Sequence, residues 1–261
     1  MARFCPIYSS SSGNCTYIGS SQGGILIDAG VSAKRTEAAL AEIGVDPKSI
    51  GAIFVTHEHS DHVSGVRVFA SRYGIKVYAT EGTLDAMEKS GAVNAKNETA
   101  VIPYSGIEAA SMLVRPFRTS HDARESCGYT VVTPDSKRIS VCTDLGVVTD
   151  EVLRAVSGSD LILLESNHDV NMLRNGSYPY ITKRRILSDL GHLSNVTCAD
   201  TAVKLLESGT TRFFLGHLSR ENNFPELAYE TTKAAMSMAG ACENVDYILK
   251  IAAQELKMTA I

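Results

Sequence analysis

No apolar stretch in this 261-residue chain reaches the roughly 18 residues that a membrane-spanning helix needs. The opening residues, Met1-Ala2-Arg3-Phe4-Cys5-Pro6, lack the apolar core of a secretory signal, so a cytoplasmic protein that makes no use of a membrane is expected. Six cysteines are present, at 5, 15, 127, 142, 198 and 242, but no Cys-x-x-Cys pair. That spacing excludes a thiolate zinc ribbon, and a disulfide framework is not expected in a chain this long; reduced, mostly buried thiols are. Charge of one sign is also missing: 25 Lys and Arg stand against 29 Asp and Glu, a formal net charge of −4. Any nucleic-acid contact must therefore come from a local patch. There is no low-complexity linker and no internal repeat, and residues 1–261 read as one domain.

What is present is an alternation of short apolar runs and amphipathic segments. Residues 24–28 read as a buried strand that ends in the carboxylate of Asp28, and 33–43 as a helix stopped by Gly44. Residues 52–56 form a second buried strand that runs directly into His57-Glu58-His59-Ser60-Asp61-His62. Helical character follows over 63–73, then a strand at 76–79 and a helix at 81–90. Strands are expected at 112–119, 128–133, 138–142, 161–164, 213–215 and 245–251, with helices at 196–207 and 228–239. The turn Pro134-Asp135-Ser136 reads as the tip of a hairpin. Residues 171–190, polar and aromatic, read as a partly helical surface segment.

The seven histidines, at 57, 59, 62, 121, 168, 192 and 217, sit just past apolar strands or in polar turns, and none lies inside a long amphipathic helix. Loops at strand ends are where sites are built. At a strand end residues i and i+2 point to one side, so His57 and His59 can grip one ion together, while Asp61 and His62 project toward a second. Imidazole and carboxylate suit zinc, manganese or iron. Given this cluster, His121 would complete the first ion, His217 the second, and Asp144, just past the strand at 138–142, would bridge both. Two divalent ions per chain are thus expected. Asp28 can be a ligand, a helix cap, or the acceptor of a ring N–H from a ligating histidine; the last is favoured, because it fixes a tautomer.

Asp28, His57-x-His59-x-Asp61-His62, His121, Asp144 and His217 together resemble the five ordered motifs of the metallo-β-lactamase-fold hydrolases, over essentially the whole chain. The resemblance implies an α/β fold, a four-layer αββα sandwich of two mixed sheets with helices outside. Ser9-Ser10-Ser11-Ser12-Gly13-Asn14, Glu165-Ser166-Asn167-His168, Gly191-His192-Leu193-Ser194-Asn195 and Gly216-His217-Leu218-Ser219 are most similar to the WalJ/YycJ subgroup. That subgroup is similar to phosphodiesterases such as tRNase Z. It implies a metal-dependent phosphodiesterase acting on nucleic acid, with exonucleolytic digestion of DNA foremost. A small-molecule hydrolase acting on a cyclic phosphodiester, lactone or thioester is the alternative.

On the substrate side, His192 and His168 are candidates to contact the phosphate or protonate the leaving oxygen, with backbone-bonded loop histidines as the plainer reading. Asp61 has a second candidate role, orienting the attacking water or accepting its proton. Ser10, Ser12 and Asn14 can donate to a phosphate or simply form a polar turn. Asn167 belongs with this substrate-side or supporting set. Lys183, Arg184 and Arg185 are the best candidates to hold a nucleic-acid backbone, with Tyr178 and Tyr180 near enough to stack on bases, although a charge run is commonly just a solvated face.

Overall fold

The computed structural model describes residues 1–252 and 258–261. Contacts divide the chain into two compact units. The first holds residues 1–117, 123–137 and 258–261, and the second holds 118–122 and 138–252.

In the first unit the chain forms β1 (Arg3–Ser10), β2 (Gly13–Ser20), β3 (Gly23–Ile27), α1 (Ala33–Glu42), β4 (Ile50–Phe54), α2 (Ser60–Val63), α3 (Val66–Tyr73), β5 (Lys76–Ala79), α4 (Glu81–Ser90), β6 (Thr99–Val101), β7 (Ile107–Ala109), β8 (Met112–Arg118) and β9 (Cys127–Val132). The second unit adds β10 (Arg138–Cys142), α5 (Asp150–Val156), β11 (Leu161–Glu165), α6 (Val170–Asn175), α7 (Tyr180–Ile186), α8 (Asn195–Glu207), β12 (Arg212–Gly216), α9 (Pro225–Met238) and β13 (Ile248–Ile251). The chain returns to the first unit as β14 (Thr259–Ala260).

The first unit is built on a mixed sheet of order β14-β1-β2-β3-β4-β5-β6. β1, β2 and β3 are antiparallel neighbours, and β3 to β6 run parallel. Leu26, Ile53 and Val77 from the sheet, Leu40 from α1, Phe69 from α3 and Met87 from α4 make one continuous core. Ile25, Ile27 and Phe54, of opposite parity, are buried too. The Phe54 ring meets the Tyr129 ring of β9 edge-on, 5.6 Å between centres. In the second unit β13-β12-β11-β10 are all parallel, and β11, Leu-Ile-Leu-Leu-Glu, is buried throughout. A continuous apolar strand is what a parallel sheet covered on both faces demands. Asp28 and His57 in the first unit, and Asp144, Glu165 and His217 in the second, lie at or just past the C-terminal ends of parallel strands, the end where open α/β sheets carry their sites.

Most expected elements are present within a residue or two, and the departures have local causes. The helix expected over 63–73 is broken into α2 and α3. The Gly65 N–H donates to Ala29 O (2.8 Å), and a Cβ there would lie 2.0 Å from Val31 O, so the chain must pass close to another backbone at this point. α9 begins at Pro225, whose fixed φ suits the first helical position. β13 is shorter than expected because the N–H groups of Val245 and Asp246 turn back onto Cys242 O. β1, β2 and α5, the last capped by Thr149 Oγ1, are additional. The Pro134-Asp135-Ser136 turn is closed by the Thr133 N–H donating to Lys137 O (2.9 Å). All six cysteines are free thiols, five buried and Cys242 exposed. Among the described residues no helix is long and apolar enough to cross a membrane.

Candidate metal centre

In the first unit β3 ends and the chain turns at Asp28, a non-glycine residue with φ of 60°. Its carboxylate then organises the histidine cluster. Oδ1 accepts the Thr56 N–H (2.8 Å), and Oδ2 accepts the Thr56 hydroxyl (2.9 Å) and His62 Nδ1–H (2.8 Å). The Thr56 oxygen in turn accepts His57 Nδ1–H (3.1 Å). A neutral imidazole with Nδ1 protonated presents Nε2 as a lone pair. His57 and His62 are buried, their ring centres 4.1 Å apart, and His59 lies 4.5 Å from His57. Burial pushes the Asp28 carboxyl up, against the pull of His62 and the Thr56 hydrogen bonds.

Asn14, at the start of β2, reaches the same cluster. Its Nδ2 donates to Asp61 Oδ2 (3.3 Å) and His62 Nε2 (3.0 Å), and also to Ser10 O (3.1 Å). Gly30 makes this approach feasible, since a Cβ there would fall 1.6 Å from Asp61 O. Ser10 and Ser12 bond to each other, Oγ to Oγ at 3.1 Å, at the tip of the β1–β2 turn.

The second unit assembles its cluster from five separate segments. Asp144 follows β10 and His217 follows β12, with φ of 59° and 55°. Such a backbone is uncommon outside glycine and costs on the order of 1–2 kcal/mol per residue. Glu165, the buried last residue of β11, holds the group together. Its Oε1 accepts Nδ1–H from His192 (2.7 Å) and from His217 (2.8 Å), while Oε2 accepts the N–H groups of Leu145 (3.1 Å) and Leu193 (3.2 Å). Burial alone would raise the Glu165 carboxyl; the two imidazoles outweigh it and hold it well below the ordinary carboxylate range. His121 donates Nδ1–H to Gly191 O (3.0 Å) and lies with Nε2 3.8 Å from Asp144 Oδ1. Burial lowers the His121 pKa. His217 Nε2 is 3.5 Å from Asp144 Oδ1. One donor atom from each of Asp144, Glu165, His192 and His217 falls within 4.8 Å of the others.

The structure thus brings His57, His59, Asp61, His62, Asp28 and Asn14 together in the first unit, and His121, Asp144, His192 and His217 together in the second. The donor set fits a divalent ion in both: imidazoles, those of His57, His62, His121, His192 and His217 with Nδ1 committed to oxygen acceptors, beside carboxylates, and no thiolate among them. Asn167 serves the backbone, its Nδ2 donating to His217 O (2.9 Å). His168 is buried, and neither ring nitrogen has a hydrogen-bond partner among the described residues; burial lowers its pKa to about 4. Of the three basic residues on α7, Lys183 closes the end of α6 by donating to Arg174 O (2.9 Å) and Gly176 O (2.7 Å), Arg185 pairs with Asp122, and Arg184 faces outward.

Glu165 is the functional residue that sequence reasoning passed over. Its signal was visible: a carboxylate ending an apolar strand, just as Asp28 does. The paired amides of Asn195 and Asn223 were also passed over. They exchange hydrogen bonds of 2.9 Å and tie Ser166 and Asn167 to the loop that carries His192.

A family model described as "Beta-lactamase superfamily domain" matches residues 24–218. The chain is 40% identical over 248 residues to the exodeoxyribonuclease WalJ of Streptococcus pneumoniae, covering 94% of this chain and 92% of that one. It is 36% identical over 239 residues to the exodeoxyribonuclease YycJ of Bacillus anthracis, covering 91% and 90%. Among solved structures, the metallo-beta-lactamase fold protein YhfI of Bacillus subtilis superposes with a TM-score of 0.72 over 100% of both chains at 13% identity. The fold class expected from the motifs, an α/β sandwich with two mixed sheets and helices, agrees with that likeness. A family match over more than half of the sequence, together with relatives aligned nearly end to end, means that the chain belongs to the beta-lactamase superfamily and, within it, is WalJ/YycJ-like.

Proposed function

We propose that this protein is a metal-dependent hydrolase of DNA phosphodiesters, an exonuclease working in the cytoplasm as one catalytic domain. The observation that carries the reading is the near-full-length likeness to two exodeoxyribonucleases, in a chain where His57, His62, His121 and His217 each commit Nδ1 to an oxygen acceptor and leave Nε2 for a metal ion. His57, His59, Asp61, His62, His121, Asp144 and His217 are the ligands assigned to two divalent ions, zinc, manganese or iron. Family membership and donor chemistry support that assignment.

Divalent ions held by these residues would lower the pKa of a water toward about 7 and would neutralise charge on the phosphate. The chain's own residues do the rest. Asp28 and Thr56 hold His62 and His57 in the tautomer that leaves Nε2 unprotonated. Asp61 orients the attacking water or takes up its proton. His192, with Nδ1–H anchored on the Glu165 carboxylate, is placed to deliver a proton from Nε2 to the departing oxygen. His168 stays neutral at physiological pH, so its role is a hydrogen bond to the phosphate. Asn14, whose Nδ2 donates to Asp61 Oδ2 and His62 Nε2, stands beside the first unit's ligands as a donor for a phosphate oxygen.

The test is digestion of end-labelled single- and double-stranded DNA and RNA by protein loaded with manganese or with zinc, alongside metal analysis. Stepwise release of nucleotides from DNA, with about two ions per chain, is the expected result. Turnover of a cyclic phosphodiester, lactone or thioester with no cleavage of any nucleic acid would replace this reading with the small-molecule hydrolase.

A further inference from the structure

The basic run on α7 does not act as one cationic face. Lys183 and Arg185 are engaged by the protein, Arg185 while still exposed; beside them α7 shows to solvent Tyr180, 74% exposed, Ile181, 80% exposed, and Arg184, whose guanidinium lies 5.9 Å from the centre of the Tyr180 ring. Leu187 and Leu190, just beyond the helix, are exposed as well. Large apolar side chains gathered in water mark an interaction surface.

This surface is held rigidly beside the second unit's cluster. Ile186 is buried, and its carbonyl accepts the His192 N–H (3.1 Å). Gly191 sits so close that a Cβ would meet Ile186 O at 2.2 Å and Arg185 O at 2.4 Å. Arg185 grips Asp122, the neighbour of His121, and the Asp122 N–H donates to Leu190 O (3.1 Å). Two turns that carry candidate catalytic and ligand histidines are therefore tied to the end of α7. A polymer whose phosphodiester reaches His121 and His192 comes within reach of Tyr180.

We propose that the outer face of α7 is a stacking platform for an unpaired nucleotide at a DNA end. The Tyr180 ring covers the face of one base, Arg184, one turn further along the same helix face, meets the phosphate beside it, and Ile181 borders the platform. The occupant follows from chemistry. An aromatic ring with an adjacent guanidinium matches a base with its adjacent phosphate, and a polyanion complements the outward guanidinium of Arg184. The proposal rests on the nuclease reading above and adds a surface to it, outside the metal-ligand set.

Four variants test it: Tyr180→Ala, Tyr180→Trp, Ile181→Ala and Arg184→Ala. Each is assayed with manganese on DNA carrying a single-stranded end and on bis(4-nitrophenyl) phosphate, which is too small to span both places. Tyr180→Ala lowers kcat/KM on DNA about tenfold, mainly through KM, as expected for loss of one stacked base. Ile181→Ala moves in the same direction by a smaller factor. Hydrolysis of the small diester is unchanged in both, and Tyr180→Trp behaves as the parent protein. Arg184→Ala makes the dependence of log KM on log salt shallower by about one, the signature of one lost phosphate contact. Unchanged DNA kinetics in Tyr180→Ala overturns the proposal, and so does equal loss on both substrates, or failure of Trp to restore. If the parent protein cleaves the small diester but no DNA, the nuclease reading falls and this one with it. DNA cleavage indifferent to Tyr180 removes only the platform.

Discussion

In each unit one buried carboxylate orients two histidines, and the two carboxylates carry different loads. Asp28 accepts one imidazole N–H directly and reaches a second only through the Thr56 hydroxyl. Glu165 accepts two imidazole N–H groups on the same oxygen and two backbone N–H groups on the other. The electrostatics follow the load. Desolvation wins at Asp28 and raises its pKa, whereas at Glu165 the paired imidazoles win and lower it. A carboxylate serving two imidazoles is held in its charged form by the same contacts that orient them. Orientation and charge are then one property at Glu165 and partly separable at Asp28.

The sharpest way to break this comparison is at Glu165. Glu165→Ala releases His192 and His217 together and leaves the Leu145 and Leu193 N–H groups without their acceptor. We expect metal-dependent activity to fall by more than about 100-fold and metal affinity to fall with it. Unfolding free energy should drop by about 3–5 kcal/mol, the range for removing one partner of a buried charged pair. Metal content per chain and urea denaturation measure the two effects. Retention of both within a few-fold would reduce Glu165 to ordinary packing. Asp28→Asn comes next. The amide oxygen can still accept one N–H, so a loss of about 10-fold in metal affinity is expected, with activity following. An effect as large as that of Glu165→Ala would mean that the two carboxylates do equal work. Thr56→Val should be smaller again. It removes the relay to His57 while Asp28 keeps His62, and about 1 kcal/mol of stability is expected to go with the hydrogen bonds. Equal metal affinity for Asp28→Asn and Thr56→Val would show that the relay matters as much as the direct contact.

How far each cluster could be read from the sequence depends on how it is assembled. His57, His59, Asp61 and His62 lie within six residues at the end of a strand, so chain geometry alone puts them together. The second cluster has no such economy. Glu165 meets His192 across 27 positions and His217 across 52, a closure made by the parallel order of β10, β11 and β12. Strand periodicity shows that a segment is buried but not which neighbour it gains, so Glu165 was visible as a strand-end carboxylate without its clients. Lys183-Arg184-Arg185 illustrates the converse. Adjacent in sequence, the three point to three different partners, because a helix turns about 100° per residue. The break between α2 and α3 depended on the backbone of Ala29 and Val31, more than thirty residues upstream, which no local pattern encodes.

His168 offers an effect that vanishes near neutral pH and has the cleanest sign. It follows β11 three residues after Glu165, yet the carboxylate does not reach its ring; burial dominates and lowers its pKa to about 4. In the unfolded chain the same imidazole titrates near its ordinary value of about 6.5. Between those two values the unfolded state binds more protons, so stability falls as pH falls, by at most about 1.4 kcal/mol per pH unit from this group. Above about 6.5 both states are neutral here, and below about 4 both are charged, so the slope is confined to that window. His168→Gln should flatten the stability curve of metal-free protein between about pH 6.5 and 4 and leave it unchanged near pH 7.5. Urea denaturation at several pH values reads this directly. Parallel curves for the two proteins across the window would mean that His168 takes up its proton in the folded state as readily as in the unfolded chain.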